Sequence, residues 1–452
     1  MHVGRLLNNI RSPATLKHRA LQSGLLRGLQ FSITIPLVFA KNLILVQFLM
    51  PEAFGLMATI TLLHVAMQLV SDIGLSQSVV REKRGNSDRF LQIVWTVKLM
   101  RAAVLSVITI LIGVSILILQ KYVQFGDSIY NNRDLPILII ISTLIVMANG
   151  SASPNILLAE RELQNYKLVK LSVQVSIVSV ALTVLLTAVS GSVYALMFGL
   201  VLSAALTSIL SHRRLDGPRM RWTVDYLEMR NLWFFGRWLI LSSLSTFLQK
   251  NIDKILFSIY LSSYIFSIYI IAFNLINIIV NLIGSFIGKV LYPVIGEMGR
   301  EEISRYKINS QKIFVLLLST SIGLFFAWPI IIGLIVVKLF PENYHAATEY
   351  LNLIALIFLH TPTRLYGMIL INIGESRTLG VASPLAAGCS VFATWIALNH
   401  LGLEASIMVF ALSPMILSQA LFLRRGVRQL IGWQLNCLWL VSVASLSYWA
   451  AL

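Results

Sequence analysis

The chain has 452 residues, of which 57% are apolar and only 12% charged, with a mean hydropathy of +0.79. Soluble domains carry about 45–50% apolar and about 25% charged residues, which excludes a water-soluble globular protein. Thirty-six Lys and Arg against nineteen Asp and Glu give a formal charge of +17; in a polytopic membrane protein that excess serves loop topology and an anionic lipid or substrate rather than nucleic acid.

The first 22 residues, with Arg5, Arg11, Lys17 and Arg19, are polar and basic, and no short apolar core with a small-residue cleavage site follows them. They read as a cytoplasmic lead-in rather than a signal peptide. Apolar runs of about 18 residues or more then predict helices at 25–49, 53–79, 90–119, 135–158, 168–189 and 192–211. A second set follows at 232–261, 264–293, 313–337, 347–372, 378–399, 403–423 and 432–452. Both cysteines, Cys389 and Cys437, lie inside apolar runs, so neither a disulfide framework nor a thiolate metal site is expected.

Lys and Arg in short loops set orientation. With the N-terminus inside, the cytoplasmic segments 1–24, 80–89, 159–167, 212–231, 294–312, 373–377 and 424–431 hold 23 Lys and Arg, against 3 (Lys121, Arg133 and Lys338) in the opposite loops. That bias predicts a multi-pass membrane protein with a cytoplasmic N-terminus. The connection 212–231 separates two sets of six helices of equal orientation, as in parallel repeats. Lys41 and Lys254, each opening a short similar apolar stretch, occupy corresponding places in the two sets. The expected fold is an all-α polytopic membrane protein of two six-helix transmembrane lobes, 25–211 and 232–423, around a central cavity. A basic N-terminus (1–24) precedes them, and a basic loop with one extra helix (424–452) follows.

Ten basic residues remain in or at the edges of the spans: Arg27, Lys41, Lys98, Arg101, Lys170, Arg237, Lys250, Lys254, Lys289 and Arg364. Their acidic companions are Asp72 and Asp253, with Glu375 near a helix end. A charge at mid-span costs about 2.5–3.5 kcal/mol on insertion scales, so such groups face a bundle interior or a watery cavity. Arg27, Lys170 and Lys289 lie close enough to predicted ends to snorkel to the interface. Lys98 and Arg101, at i and i+3 on one helix face, and Arg237 fit either an interfacial or a cavity position. Lys41, Lys250, Lys254 and Arg364 lie deeper, and Pro362 before Arg364 frees a carbonyl and bends its helix. A substrate-binding cationic cavity of Lys41, Lys98, Arg101, Arg237, Lys250, Lys254 and Arg364 is therefore expected. Asp253 pairs with the lysines beside it or couples an ion; Asp72 pairs with a loop arginine or does the same.

His64 and His360 fit hydrogen bonds between helices. No metal spacing, no phosphate-cradling loop and no large outer loop with catalytic residues occurs, so neither a metal site nor direct ATP drive is expected. The reading is of a transporter rather than an enzyme.

Several stretches carry a family likeness: Leu49-Met-Pro-Glu-Ala-Phe-Gly55, Ser71-Asp-Ile-Gly-Leu-Ser-Gln77 with Arg81-Glu-Lys83, and Leu158-Ala-Glu-Arg-Glu-Leu163. In the second half they are Phe234-Phe-Gly236, Asn251-Ile-Asp-Lys-Ile-Leu256 and Leu291-Tyr-Pro-Val-Ile295. In order and spacing, over about residues 20–300, the chain resembles the polysaccharide transporter family of Wzx-type flippases, nearest its WzxC-like branch, in the superfamily of MATE exporters and MurJ lipid flippases. Helices 13 and 14 of that branch are represented here by one.

The resemblance implies two lobes facing each other across a cavity, and movement of an undecaprenyl-diphosphate-linked oligosaccharide to the outer leaflet for exopolysaccharide, capsule or O-antigen synthesis. It also implies membrane lipid and polysaccharide polymerase or export machinery as partners. Ser242, Ser243, Ser245, Thr246, Asn274, Asn277 and Asn281 are candidate sugar contacts. No cofactor is expected; drive comes from the membrane potential, or from H+ or Na+ exchanged through Asp72 or Asp253. A MATE-like exporter of organic cations, a membrane-embedded polymerase or glycosyltransferase, and a peptidoglycan-lipid flippase are the alternatives.

Overall fold

The computed structural model describes residues 16–451 apart from 71–73, 76–77, 80–83, 163, 292–294, 296–302 and 374. In lipid every backbone N–H and C=O must be satisfied within the chain, and long apolar sequences meet that demand as helices. In the first half these are α1 (Leu16–Leu45), α2 (Pro51–Val70), α3 (Asp88–Tyr122), α4 (Asp134–Ser151), the short α5 (Asn155–Arg161), α6 (Asn165–Ser190) and α7 (Val193–Arg214). The second half begins with α8 (Tyr226–Tyr260), α9 (Ser263–Phe286) and α10 (Ile303–Leu339), and continues through α11 (Leu351–Ala355), α12 (Arg364–Asn372), α13 (Ser376–His400), α14 (Leu403–Leu412) and α15 (Pro414–Phe422). It ends in α16 (Arg425–Ile431) and α17 (Trp433–Ala451). Starts are fixed by caps: Asp225 accepts from the Glu228 amide before α8, and Ser262 from the Ile265 amide before α9.

Among the described residues eleven helices are long and apolar enough to cross a membrane, and α16 with α17, bent by 85°, forms a twelfth candidate. The 35-residue α8 is not among them. Its charges, Asp253, Lys254 and Lys250 among them, lower its hydropathy, yet at 1.5 Å per residue it is about 50 Å long. That length exceeds the roughly 30 Å of a bilayer's hydrocarbon core.

Several expected elements differ. The span 347–372 is not one helix: a 3-10 segment Glu342–Tyr350, α11, a second 3-10 segment Leu356–His360 and α12 follow one another. Pro362 stands in the turn before α12, where its missing N–H and its restriction on the preceding residue end the helix rather than merely bend it. The span 135–158 is likewise cut at Pro154, into α4 and α5. The segment 424–431, expected as a loop, is the helix α16, which buries Val427, Leu430 and Ile431 and leaves Arg424 and Arg425 outside. The predicted loop ahead of 313 is also helical, since α10 begins at Ile303.

Packing runs α1–α6–α7–α4–α3 in the first half, and α8–α13–α14 in the second, with α9 and α10 closing on the 3-10 segments. Across the halves, α2 packs against both α8 and α9. One apolar core passes through this junction, from Leu45, Leu49 and Ile60 to Phe257, Phe266 and Tyr344. The last helix is held by Trp439, fully buried, whose indole N–H donates to the Leu359 carbonyl at 2.6 Å. Trp439→Ala is expected to cost about 3–5 kcal/mol through the cavity and the orphaned carbonyl, read as a lower melting temperature in detergent.

Candidate functional site: a cationic cavity between the halves

The site is built on α8, where Asn251, Asp253 and Lys254 follow within one turn. Asp253 is fully buried, and its Oδ2 accepts a 2.6 Å hydrogen bond from the Tyr269 hydroxyl on α9. Lys254 Nζ lies 3.6 Å from the same oxygen, donates to Asn251 Oδ1 at 3.3 Å and to the Lys250 carbonyl at 3.4 Å, and sits 3.9 Å above the Phe273 ring. One carboxylate thus compensates one ammonium. Such a pair is tolerated in a low-dielectric interior only when its hydrogen bonds are also met. Asp253 Oδ1 has no partner among the described residues.

Two cavities meet at Lys254 and Asn251. The larger, about 790 Å³, lies in the second half and is lined by Lys250, Lys254, Arg364, Asn277, Asn281 and His360, with Thr363 and Ser418. Arg364 enters it beside α9 at Gly284, where a β-carbon would stand 2.7 Å from a guanidinium nitrogen. Glycine there is what lets the cation reach the cavity. The smaller, about 470 Å³, extends into the first half with Lys41, Asn42 and Thr61 on one side and Asn274 on the other. The described lining of the two cavities carries Lys41, Lys250, Lys254 and Arg364 and no carboxylate.

Lys98 and Arg101 are elsewhere. They line a separate cavity of about 320 Å³ with His64, Gln68 and Asn149, which shares no residue with the other two. Lys98 donates to the Ala152 carbonyl at 2.7 Å, satisfying the C-terminal end of α4, and His64 bonds Ser142 at 2.8 Å. The i, i+3 spacing correctly put both cations on one face of α3, but that face meets α2 and α4. Arg237 belongs to α8, and its side chain lies outside the described residues, as does Asp72 altogether. Asn274, Asn277 and Asn281 of the expected sugar set line the cavities, whereas Ser243, Ser245 and Thr246 do not. Sequence reasoning missed Asn42, Thr61 and the hydroxyls of α6 and α7. The signal was present, since Ser172, Ser176, Ser179 and Thr183 recur on one face of α6.

At the end of the bundle carrying 45–51, 125–131 and 339–344, the halves are sealed together. The buried Tyr344 donates to the Leu49 carbonyl at 2.6 Å and packs edge-on against Phe54, while the Ser263 amide donates to the Asp127 carbonyl at 2.6 Å. At the other, basic end, Arg84–Glu228 and Arg89–Asp225, each 2.9 Å, also link the first half to the linker and α8. Those arginines are 67% and 74% exposed, and exposed pairs contribute about 0–1 kcal/mol. The buried seal is the stronger junction.

This arrangement of helices defines a polytopic membrane protein of the fold shared by MurJ and MATE proteins. The chain is similar to the lipid II flippase MurJ in an inward closed conformation, with 10% identity, a TM-score of 0.62, and coverage of 94% of this chain and 92% of that one. It is also similar to an inward-facing multidrug resistance MATE transporter, with 14% identity, a TM-score of 0.61 and coverage of 94% and 99%. A third likeness is to a MOP superfamily transporter of Pyrococcus furiosus described as having a binding pocket of reverse polarity, with 13% identity, a TM-score of 0.53 and coverage of 94% and 96%.

The chain belongs to the polysaccharide biosynthesis protein family, which matches it over residues 44–340. A curated relative, an uncharacterised membrane protein in the cps region of Klebsiella pneumoniae, is 23% identical over 306 residues, 66% of this chain. The match spans 60% of that relative's length.

Proposed function

We propose that this protein is a flippase that moves an undecaprenyl-diphosphate-linked oligosaccharide from the cytoplasmic to the outer leaflet of a bacterial inner membrane, with its N-terminus cytoplasmic. The observation that carries the reading is the charge of the two cavities that adjoin at Lys254: four cations, amide and hydroxyl groups, and no carboxylate in the described lining. A diphosphate needs cations with additional donors, while amides and hydroxyls suit sugars. An exporter of organic cations needs the opposite polarity, and the nearest buried carboxylate, Asp253, is already engaged by Lys254 and Tyr269. The family supports a place in polysaccharide assembly.

In the proposed mechanism the halves rock against each other so that the α2–α9 contact at the sealed end opens, the head-group occupies the cavity and the polyprenyl tail stays in lipid. Moving negative charge out of an inside-negative compartment gains about 2.3 kcal/mol per charge per 100 mV, so no bound nucleotide is required. Proton or sodium exchange at Asp253 is compatible with this arithmetic and not demanded by it. The test is leaflet translocation of fluorescent undecaprenyl-diphosphate oligosaccharide in proteoliposomes with an imposed potential. Faster movement with the substrate-loaded side negative is expected; efflux of lipophilic cations with no lipid movement would overturn the reading.

A further inference from the structure

The Lys41 cavity continues toward the basic end into a third cavity of about 240 Å³, and the two share Ser176 and Ser203 in their walls. The extension is lined by Gln30, Glu160, Ser172, Ser176, Ser203 and Thr207 over a floor of Leu168, Leu171 and Val175. From Ser172 to Thr183 along α6 the hydroxyl row covers about 16 Å at 1.5 Å per residue. It joins the Lys41 cavity to the end where α6 begins.

The geometry points to this furrow as the oligosaccharide subsite, a placement that rests on the flippase reading and assigns the sugars to the first half rather than to the asparagines of α9. Its described lining contains no cation, so it offers a phosphate no compensating charge and leaves the diphosphate to Lys41 and Lys254. Two hydroxyls along this path already spend their protons within the protein. Thr183 donates to the Ser179 carbonyl at 2.6 Å and Thr207 to the Ser203 carbonyl at 2.8 Å, while Ser172 accepts from Gln30 Nε2 at 2.8 Å. A hydroxyl oxygen has two lone pairs, so the oxygens of Thr183 and Thr207 remain acceptors for sugar hydroxyls. The leucine and valine floor meets the C–H faces of the rings. The diphosphate and the saccharide are thereby separated by the polarity of adjoining cavities, and furrow length and shape select the repeat unit.

The experiment compares two lipids in proteoliposomes: undecaprenyl-diphosphate carrying one N-acetylhexosamine, and the same lipid carrying a neutral tetrasaccharide. Filling the furrow with Ser172→Leu plus Thr207→Leu, which line the extension and not the Lys41 cavity, is expected to slow the tetrasaccharide lipid by about tenfold or more, the weight of one or two hydrogen bonds, and to leave the monosaccharide lipid near wild-type rate. The retained arm also reports that the variant is folded. Equal slowing of both lipids, or of neither, while wild type moves both, overturns the furrow assignment alone. Wild type that moves neither lipid overturns the flippase reading and the furrow with it.

Discussion

Lys254→Ala is expected to lower lipid-linked oligosaccharide translocation by about 10- to 100-fold, because hydrogen bonds to charged groups are worth about 1.5–3 kcal/mol and this ammonium stands where the two central cavities join. The same substitution leaves the fully buried Asp253 with the Tyr269 hydroxyl and no cation. Removing one partner of a buried pair costs about 3–5 kcal/mol, so the variant also melts earlier in detergent. The two effects separate in the double variant Lys254→Ala with Asp253→Asn, which removes the stranded charge. Stability is expected to recover there while translocation stays low. Recovery of both would show that Lys254 serves the fold alone, and retained translocation in the single variant would remove it from the substrate path.

Cross-linking α2 to α9 is expected to stop transport altogether. A β-carbon placed on Gly55 stands 3.2 Å from the β-carbon of Ser267, a few tenths of an ångström inside the usual disulfide range of about 3.5–4.5 Å. Gly55→Cys with Ser267→Cys, in a background where the exposed Cys389 and Cys437 are replaced by serine, therefore bridges the sealed end after a small shift. Oxidation is expected to abolish translocation and a reductant to restore it, because a head-group held between the halves leaves at that end only when α2 and α9 part. Undiminished transport by the oxidised, fully cross-linked protein would show that α2 and α9 stay together throughout the cycle, and opening of the halves at this junction would be wrong.

Gly55 shows why the family stretch Leu49–Gly55 reads as it does. Pro51 opens α2, Leu49 offers its carbonyl to Tyr344, Phe54 packs on the Tyr344 ring, and Gly55 lets α9 approach at Ser267. The last three are local choices that serve contacts more than two hundred positions away.

The membrane class, most of the spans and the polar character of residues 245–254 were legible in the sequence, because apolar run length and charge are local properties of the chain. Lys41, Lys254 and Arg364 were legible as candidates for a cavity lining, and all three line the two adjoining cavities. The direction in which each cation points was not. Lys98 and Arg101 fit an interfacial or a cavity position equally well, and α3 turns them toward α2 and α4 into a compartment of their own. The break of the span around Pro362 and the helix Arg425–Ile431 also escaped, since both depend on neighbours that take up freed backbone groups or cover a short apolar face. Periodicity determines which residues share a helix face, but which neighbour that face meets is decided by packing between segments remote in sequence, and only the tertiary structure settles it.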